Sequence, residues 1–115
     1  MRTIRSGLAL LLAAAGCRSS ALEALPLTIS MEATPSIAAV GDTLAVFVTV
    51  QGGSLIGVEI GFGDGEHDLF GMGGARTGRV AFRHAYAARG SFTIAATVTD
   101  ATAGQKSASV GVRVQ

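Results

Sequence analysis

The sequence predicts an all-β domain, a sandwich of seven short strands. Three observations predict it. Apolar and polar residues alternate with a period of two over most of the chain after residue 27. Breaks rich in Gly, Pro and Asp recur about every ten residues. Glycine is abundant at 16 of 115 residues, and charged residues make up only 15%, a composition that suits strands and turns better than helices.

Taken in order, Leu27, Ile29 and Met31 alternate with Thr28, Ser30 and Glu32 in a first strand. Pro35 ends it, because proline has no N–H to give to a ladder. Residues 37–40 allow a short edge segment, and Gly41-Asp42 a turn. Residues 43–50 (TLAVFVTV) are the clearest strand. Leu44, Val46, Val48 and Val50 share one face, and Ala45, Phe47 and Thr49 the other. Residues 51–54 (QGGS) read as a turn. Residues 55–62 read as the next strand, with Ile56, Val58, Ile60 and Phe62 in phase. Residues 64–78 carry five glycines and read as a loop, with room for a short strand near 67–71. Residues 79–83 are strand-like, and 87–90 form a turn. In residues 91–99, Phe92, Ile94, Ala96 and Val98 face inward. A hairpin loop at 100–105 leads to the last strand, where Ala108, Val110, Val112 and Val114 are in phase. Strands of this number and spacing make a Greek-key sandwich of immunoglobulin type.

The signals also fall in a telling order. Ile60-Gly61-Phe62-Gly63-Asp64-Gly65 comes first, then His84-Ala85-Tyr86, then Gly90-Ser91-Phe92-Thr93-Ile94, then Val98-Thr99-Asp100. This resembles the PKD domain, named for polycystic kidney disease protein, whose pattern runs W-D-F-G-D-G, H-x-Y, G-x-Y-x-V and V-x-D. The likeness covers residues 27–115. It departs at Ile60-Gly61, where the family has Trp-Asp, and at Phe92, where it has Tyr. The resemblance implies an extracellular module that serves as a spacer or interaction unit. It also implies a structural motif made of Phe62, Gly63, Asp64, Gly65, His84, Tyr86, Gly90 and Asp100. Within it, Asp64 is expected to fasten backbone N–H groups, His84 to pack or hydrogen-bond, and Tyr86 to tie its hydroxyl to backbone as in a tyrosine corner.

The N-terminal residues read as an address and not as fold. Arg2 and Arg5 precede an apolar run over 7–15, too short to cross a bilayer. Ala14-Ala15-Gly16-Cys17 resembles the bacterial lipobox, with Ala14 where Leu is usual. That resemblance implies cleavage after residue 16 and two or three acyl chains on Cys17, enough for a stable anchor. Ordinary cleavage after Ala15 or Ala21 is the alternative. Cys17 is the sole cysteine, and an exported protein with one leftover thiol calls for such an explanation. Residues 17–26 form a tether, and the lipoprotein resemblance, with Arg18 after the anchor, implies sorting to the outer membrane of a cell that has one, facing the periplasm or the cell surface. Without Arg2 and Arg5, seven basic residues face eight acidic ones.

The charge pattern excludes nucleic acid, since no basic stripe exists. Asp64, Glu66 and Asp68 alternate as calcium ligands would. Counting from Asp64, however, an EF-hand needs Gly at the sixth place and Glu at the twelfth, where Leu69 and Ala75 stand. His67 and His84 are too few for a zinc site. No nucleophile elbow accompanies the scattered Ser, His and Asp residues. The expectation is therefore a non-enzymatic module without cofactor. Its partners would be the membrane, through the lipid anchor, and other envelope proteins. A calcium- or glycan-binding module is the alternative, although a chain with no Trp and one Tyr has little to build a sugar platform from. Within residues 69–78, Phe70, Met72 and Arg76 form the candidate interaction loop, and Ala45 and Phe47 a rival surface.

Overall fold

The computed structural model describes residues 25–115. The export signal over 1–16, Cys17 and most of the tether lie outside the described residues. Six strands make up the fold: β1 (Thr28–Thr34), β2 (Ile37–Ala38), β3 (Thr43–Gly61), β4 (His67–Ala85), β5 (Gly90–Asp100) and β6 (Gly104–Val114). No helix occurs among the described residues.

The architecture is governed by one long hairpin, β3–β4. Each strand has 19 residues, which would extend about 60 Å if straight, too long for one layer of a small sandwich. The hairpin instead bends double. Its first leg pairs Thr43 with Ala85 through Gln51 with Thr77, and its second pairs Gly57 with Gly71 through Gly61 with His67. Register shifts mark the bend between Gln51, Leu55 and Gly57. Both strands carry glycines there: Gly52 and Gly53 on β3, and Gly73 and Gly74 on β4, the latter two at φ of 59° and 87°. Bulges with glycine turn a strand sharply without ending it.

Each half of the hairpin seeds one layer. The first layer is β1, the first half of β3 and the second half of β4, with β1 antiparallel to β3 from Thr28–Gln51 to Thr34–Ala45. The second is the first half of β4, the second half of β3, then β5, β6 and the short parallel β2. Antiparallel layers with one wet face need apolar residues at every second position, and the alternation provides them. Leu44, Val46, Val48, Val80 and Phe82 face Val58, Ile60, Ile94, Val98 and Val112 across the interior, all buried. Burying each such side chain contributes about 1.5–3 kcal/mol.

The structure bears out the all-β immunoglobulin-type sandwich and corrects its segmentation. Residues 51–54 are a bulged bend inside β3, and residues 67–78 are strand and not loop, so the seven expected strands are six continuous ones. The physical reason is that glycine clusters in an extended run can end a strand or bend it, and here they bend two paired strands together. The bend also moves Ile56. It was expected to point inward with Val58, but the shift between Leu55 and Gly57 buries Leu55 and leaves Ile56 55% exposed. Phe92, Ala108 and Val110, expected inside, are half-buried.

Candidate functional site

Because the hairpin folds double, the end of β3 meets the end of β4. The FGDG turn at 62–65 joins the two strands and lies against His84 and Tyr86. Phe62 is buried and stacks on the His84 ring, with centroids 4.1 Å apart and planes 5° from parallel. His84 meets Tyr86 edge-on at 4.6 Å, and Tyr86 stacks on Phe92 at 4.3 Å. Four rings thus close this end of the sandwich, in the offset and edge-on geometries aromatic pairs favour.

Polar contacts tie the same groups. The Tyr86 hydroxyl donates to the Phe62 carbonyl at 2.6 Å in a buried bond. The bond reaches 24 residues upstream, whereas the tyrosine corner expected from the sequence would tie the hydroxyl to backbone only a few residues upstream. Burial, with the Asp64 charge adding to it, pushes the Tyr86 hydroxyl up to about 12, so it remains a donor at any physiological pH. His84 Nε2 donates to Asp64 Oδ2 at 2.7 Å, and the Glu66 N–H donates to Asp64 Oδ1 at 3.1 Å. Burial acts to raise the Asp64 pKa, but the His84 and Glu66 hydrogen bonds outweigh it and hold the carboxyl below its ordinary value. Replacing Tyr86 with Phe keeps the ring and leaves the Phe62 carbonyl without its donor. The expected cost is about 1–3 kcal/mol, read as a lower melting temperature by circular dichroism.

A second lock sits at the opposite end, at the bend. Asp100, only 2% exposed, ends β5. Its Oδ1 accepts the Ser54 N–H at 2.6 Å. Its Oδ2 accepts the Thr102 N–H at 3.0 Å, the Thr102 hydroxyl at 2.7 Å and the Ala103 N–H at 2.9 Å. The Ala101 N–H returns a bond to the Ser54 carbonyl. The Ser54 N–H, the Thr102 hydroxyl and the Ala103 N–H hold the Asp100 carboxyl far below the usual carboxylate range. Gly52 makes this approach possible, because a Cβ there would lie 2.7 Å from Asp100 Oδ1. Ser54, Thr102 and Gly52 were not identified from the sequence. Gly52 and Ser54 lie in the QGGS segment, which reads as a turn unless its distant partner is known, and Thr102 lies in the turn after β5.

The remaining candidates disperse. Gly63 and Gly65 take φ of 85° and 95° in the turn, and Gly90 opens β5. Asp68 is exposed, with Oδ1 accepting the N–H of Leu69, and Glu66 is exposed beside it. Among the described residues no three His, Cys, Asp or Glu side chains gather. Phe70 and Arg76 lie on β4 and are exposed, Phe70 at 48%, whereas Met72 packs against the core. Leu69 is 69% exposed. Phe47, on the outer face of the first layer, is half-buried beneath the Arg79 guanidinium, which lies 4.5 Å from its ring centre.

Comparison with solved structures places this geometry. The PKD domain of an M14-like peptidase from a Thermoplasmatales archaeon superposes with a TM-score of 0.67 at 19% identity, over 79% of this chain and 97% of that one. The fold is that of PKD-like immunoglobulin domains. A CARDB domain of the PF1109 protein from Pyrococcus furiosus, in complex with di-metal ions, matches with a TM-score of 0.60 at 19% identity, over 80% of this chain and 94% of that one. The PKD domain of the human VPS10 domain-containing receptor SorCS2 matches with a TM-score of 0.52 at 19% identity, over 80% and 74%. No protein-family model matches the chain, and no curated protein matches it. Within this fold, Ile60-Gly61, which stand where the PKD pattern has Trp-Asp, are accommodated locally. Ile60 is fully buried, and the His67 ring fills the space beside Gly61, with Nδ1 3.2 Å from where a Cβ would stand.

Proposed function

We propose that this chain is a non-catalytic interaction or structural module of the cell envelope, held at a membrane through an acylated Cys17. One observation carries the non-catalytic reading. The polar side chains of the motif are committed to the fold: Asp64 to His84 and the Glu66 N–H, Tyr86 to the Phe62 carbonyl, Asp100 to four donors. A His–Asp pair assists nucleophilic catalysis only when the ring's other nitrogen holds a nucleophile; here Asp64 takes His84 Nε2, and among the described residues no hydroxyl or thiol hydrogen-bonds Nδ1. The relatives support the modular reading, since two of them are the PKD domains of a peptidase and of a receptor. The di-metal complex of the CARDB relative is not carried to this chain, because Asp64 and Asp68 already accept backbone N–H groups and gather no third ligand among the described residues.

The anchor rests on the basic start, the short apolar run and the lone Cys17 behind Ala14-Ala15-Gly16. It is tested by labelling cells with radioactive palmitate. The wild-type chain is expected to take up label and to sediment with the membrane fraction. The Cys17→Ser chain is expected to do neither. A wild-type chain that takes up no label overturns the anchor, and with it the envelope placement.

A further inference from the structure

The strand β4 is an edge along its whole length. It hydrogen-bonds to β3 alone, in one layer and then in the other. The N–H and C=O groups on its far side have no strand partner among the described residues. Such an edge is a ready template for another strand, and proteins that do not use one blunt it with bulges, charges or proline. Residues 67–76 are blunted by the glycine bend. Residues 77–85 are not: they run in unbroken register with β3 from Thr77 to Ala85. Val80 and Phe82 face the core, while Arg79, Ala81 and Arg83 face solvent.

The charge on this edge is of one sign. Arg76, Arg79 and Arg83 stand on it, and the only ion pair among the described residues is Asp64–His84, so none of the three has a carboxylate partner there. The Arg79 guanidinium is held over Phe47 of the neighbouring strand β3, on the solvent face one strand in from the edge. A second copy of β4 is a poor occupant. Antiparallel pairing centred on Ala81 would set Arg79 against Arg83 twice, and like charges directly opposite are destabilising.

We propose that the 77–85 edge of β4 accepts an extended acidic segment of another protein as an added strand. The carboxylates of that segment lie beside Arg79 and Arg83. Its alternate, apolar residues continue the inner face formed by Val80 and Phe82. Main-chain hydrogen bonds supply the docking and the arginines supply the selection, the division of labour seen generally in strand addition. The proposal rests on the reading of the chain as an interaction module and gives the chemistry of the partner. It does not rest on the lipid anchor.

The test uses the full chain and two short synthetic peptides, one alternating valine with glutamate and one alternating valine with lysine. Binding is followed at low salt together with amide hydrogen exchange. The acidic peptide is expected to bind about tenfold more tightly, the size that a few opposite-charge cross-strand pairs provide. Amides within 77–85 are expected to gain protection. The double variant Arg79→Glu, Arg83→Glu changes exposed side chains, so it is expected to melt near wild type and to prefer the lysine peptide. Equal affinity for both peptides overturns the proposal, as does protection confined to another strand. Failure of both peptides to bind also overturns it, leaving the arginines as a guard against self-pairing. None of these outcomes alters palmitate labelling at Cys17, so the proposal and the anchor fail separately.

Discussion

Replacing Gly63 with alanine is expected to destabilise the domain by about 2–5 kcal/mol. Two costs add. Gly63 sits at φ 85°, a left-handed conformation in which a Cβ costs about 1–2 kcal/mol. A Cβ at Gly63 would also lie 2.7 Å from the Thr93 carbonyl oxygen and 3.2 Å from its nitrogen. Thr93 is backbone of β5, paired with β6 at Gly111, and cannot swing aside as a side-chain tip would. A domain of this size loses roughly 4–8 °C of melting temperature per kcal/mol, so a loss of at least about 8 °C is expected. Gly65 supplies the control. It has a similar φ of 95°, but nothing lies within 4 Å of its Cβ position. Gly65→Ala is therefore expected to cost only the conformational part, about 1–2 kcal/mol. Equal losses at the two positions would show that the contact with β5 is not what makes Gly63 necessary.

The substitution Asp100→Asn is expected to be nearly as damaging as Asp100→Ala, although it changes almost no volume. Oδ1 faces one donor and Oδ2 faces three. An asparagine must place its NH₂ on one side or the other, and either choice sets donor against donor. The bend of β3 then loses its tie to the β5–β6 loop. A melting temperature lower by roughly 10 °C or more is expected.

The pH dependence carries the same signature. Asp100 is held below its ordinary value by the hydrogen bonds it accepts. Its contribution is therefore fully present above the unfolded pKa and is lost as pH falls through the folded one. Wild-type melting temperature is expected to decline as pH is lowered from about 5 to about 2. The gap between wild type and Asp100→Asn is expected to be widest at neutral pH and to narrow on acidification. A gap that stays constant with pH would show that the charge of Asp100 contributes nothing to the lock.

How much of this was legible before folding differs from residue to residue. Leu44, Val46, Val48 and Val50 were assigned to the core from alternation alone, and all four are buried. Alternation suffices there because a register slip by one residue would expose the whole set. The motif residues Phe62, Asp64, His84 and Tyr86 were singled out by the resemblance to the PKD pattern, and they meet at one end of the sandwich. Ser54 and Thr102 were missed, because their role depends on Asp100, 46 residues from Ser54, and neither carries a local signal. Arg79 and Arg83 were missed as a pair because an edge is a property of the sheet. Nothing local in residues 77–85 says that only one neighbour will be present.

The sequence by itself determined the class of fold and the inward face of most strands. Those follow from a period-two pattern and from turn residues whose backbone preferences act over a few positions. Only the tertiary structure decided that two glycine clusters bend one hairpin double. A glycine in an extended run permits an end or a bulge at similar local cost, and the choice between them is made by pairing. In β3 and β4 both clusters fall within the same interruption of the register, between Gln51–Thr77 and Gly57–Gly71, so both strands bend together and resume their ladder. That single decision turned Ile56 outward, made strand of residues 67–78, brought Phe62 and Asp64 onto His84 and Tyr86, and left β4 as an edge from end to end.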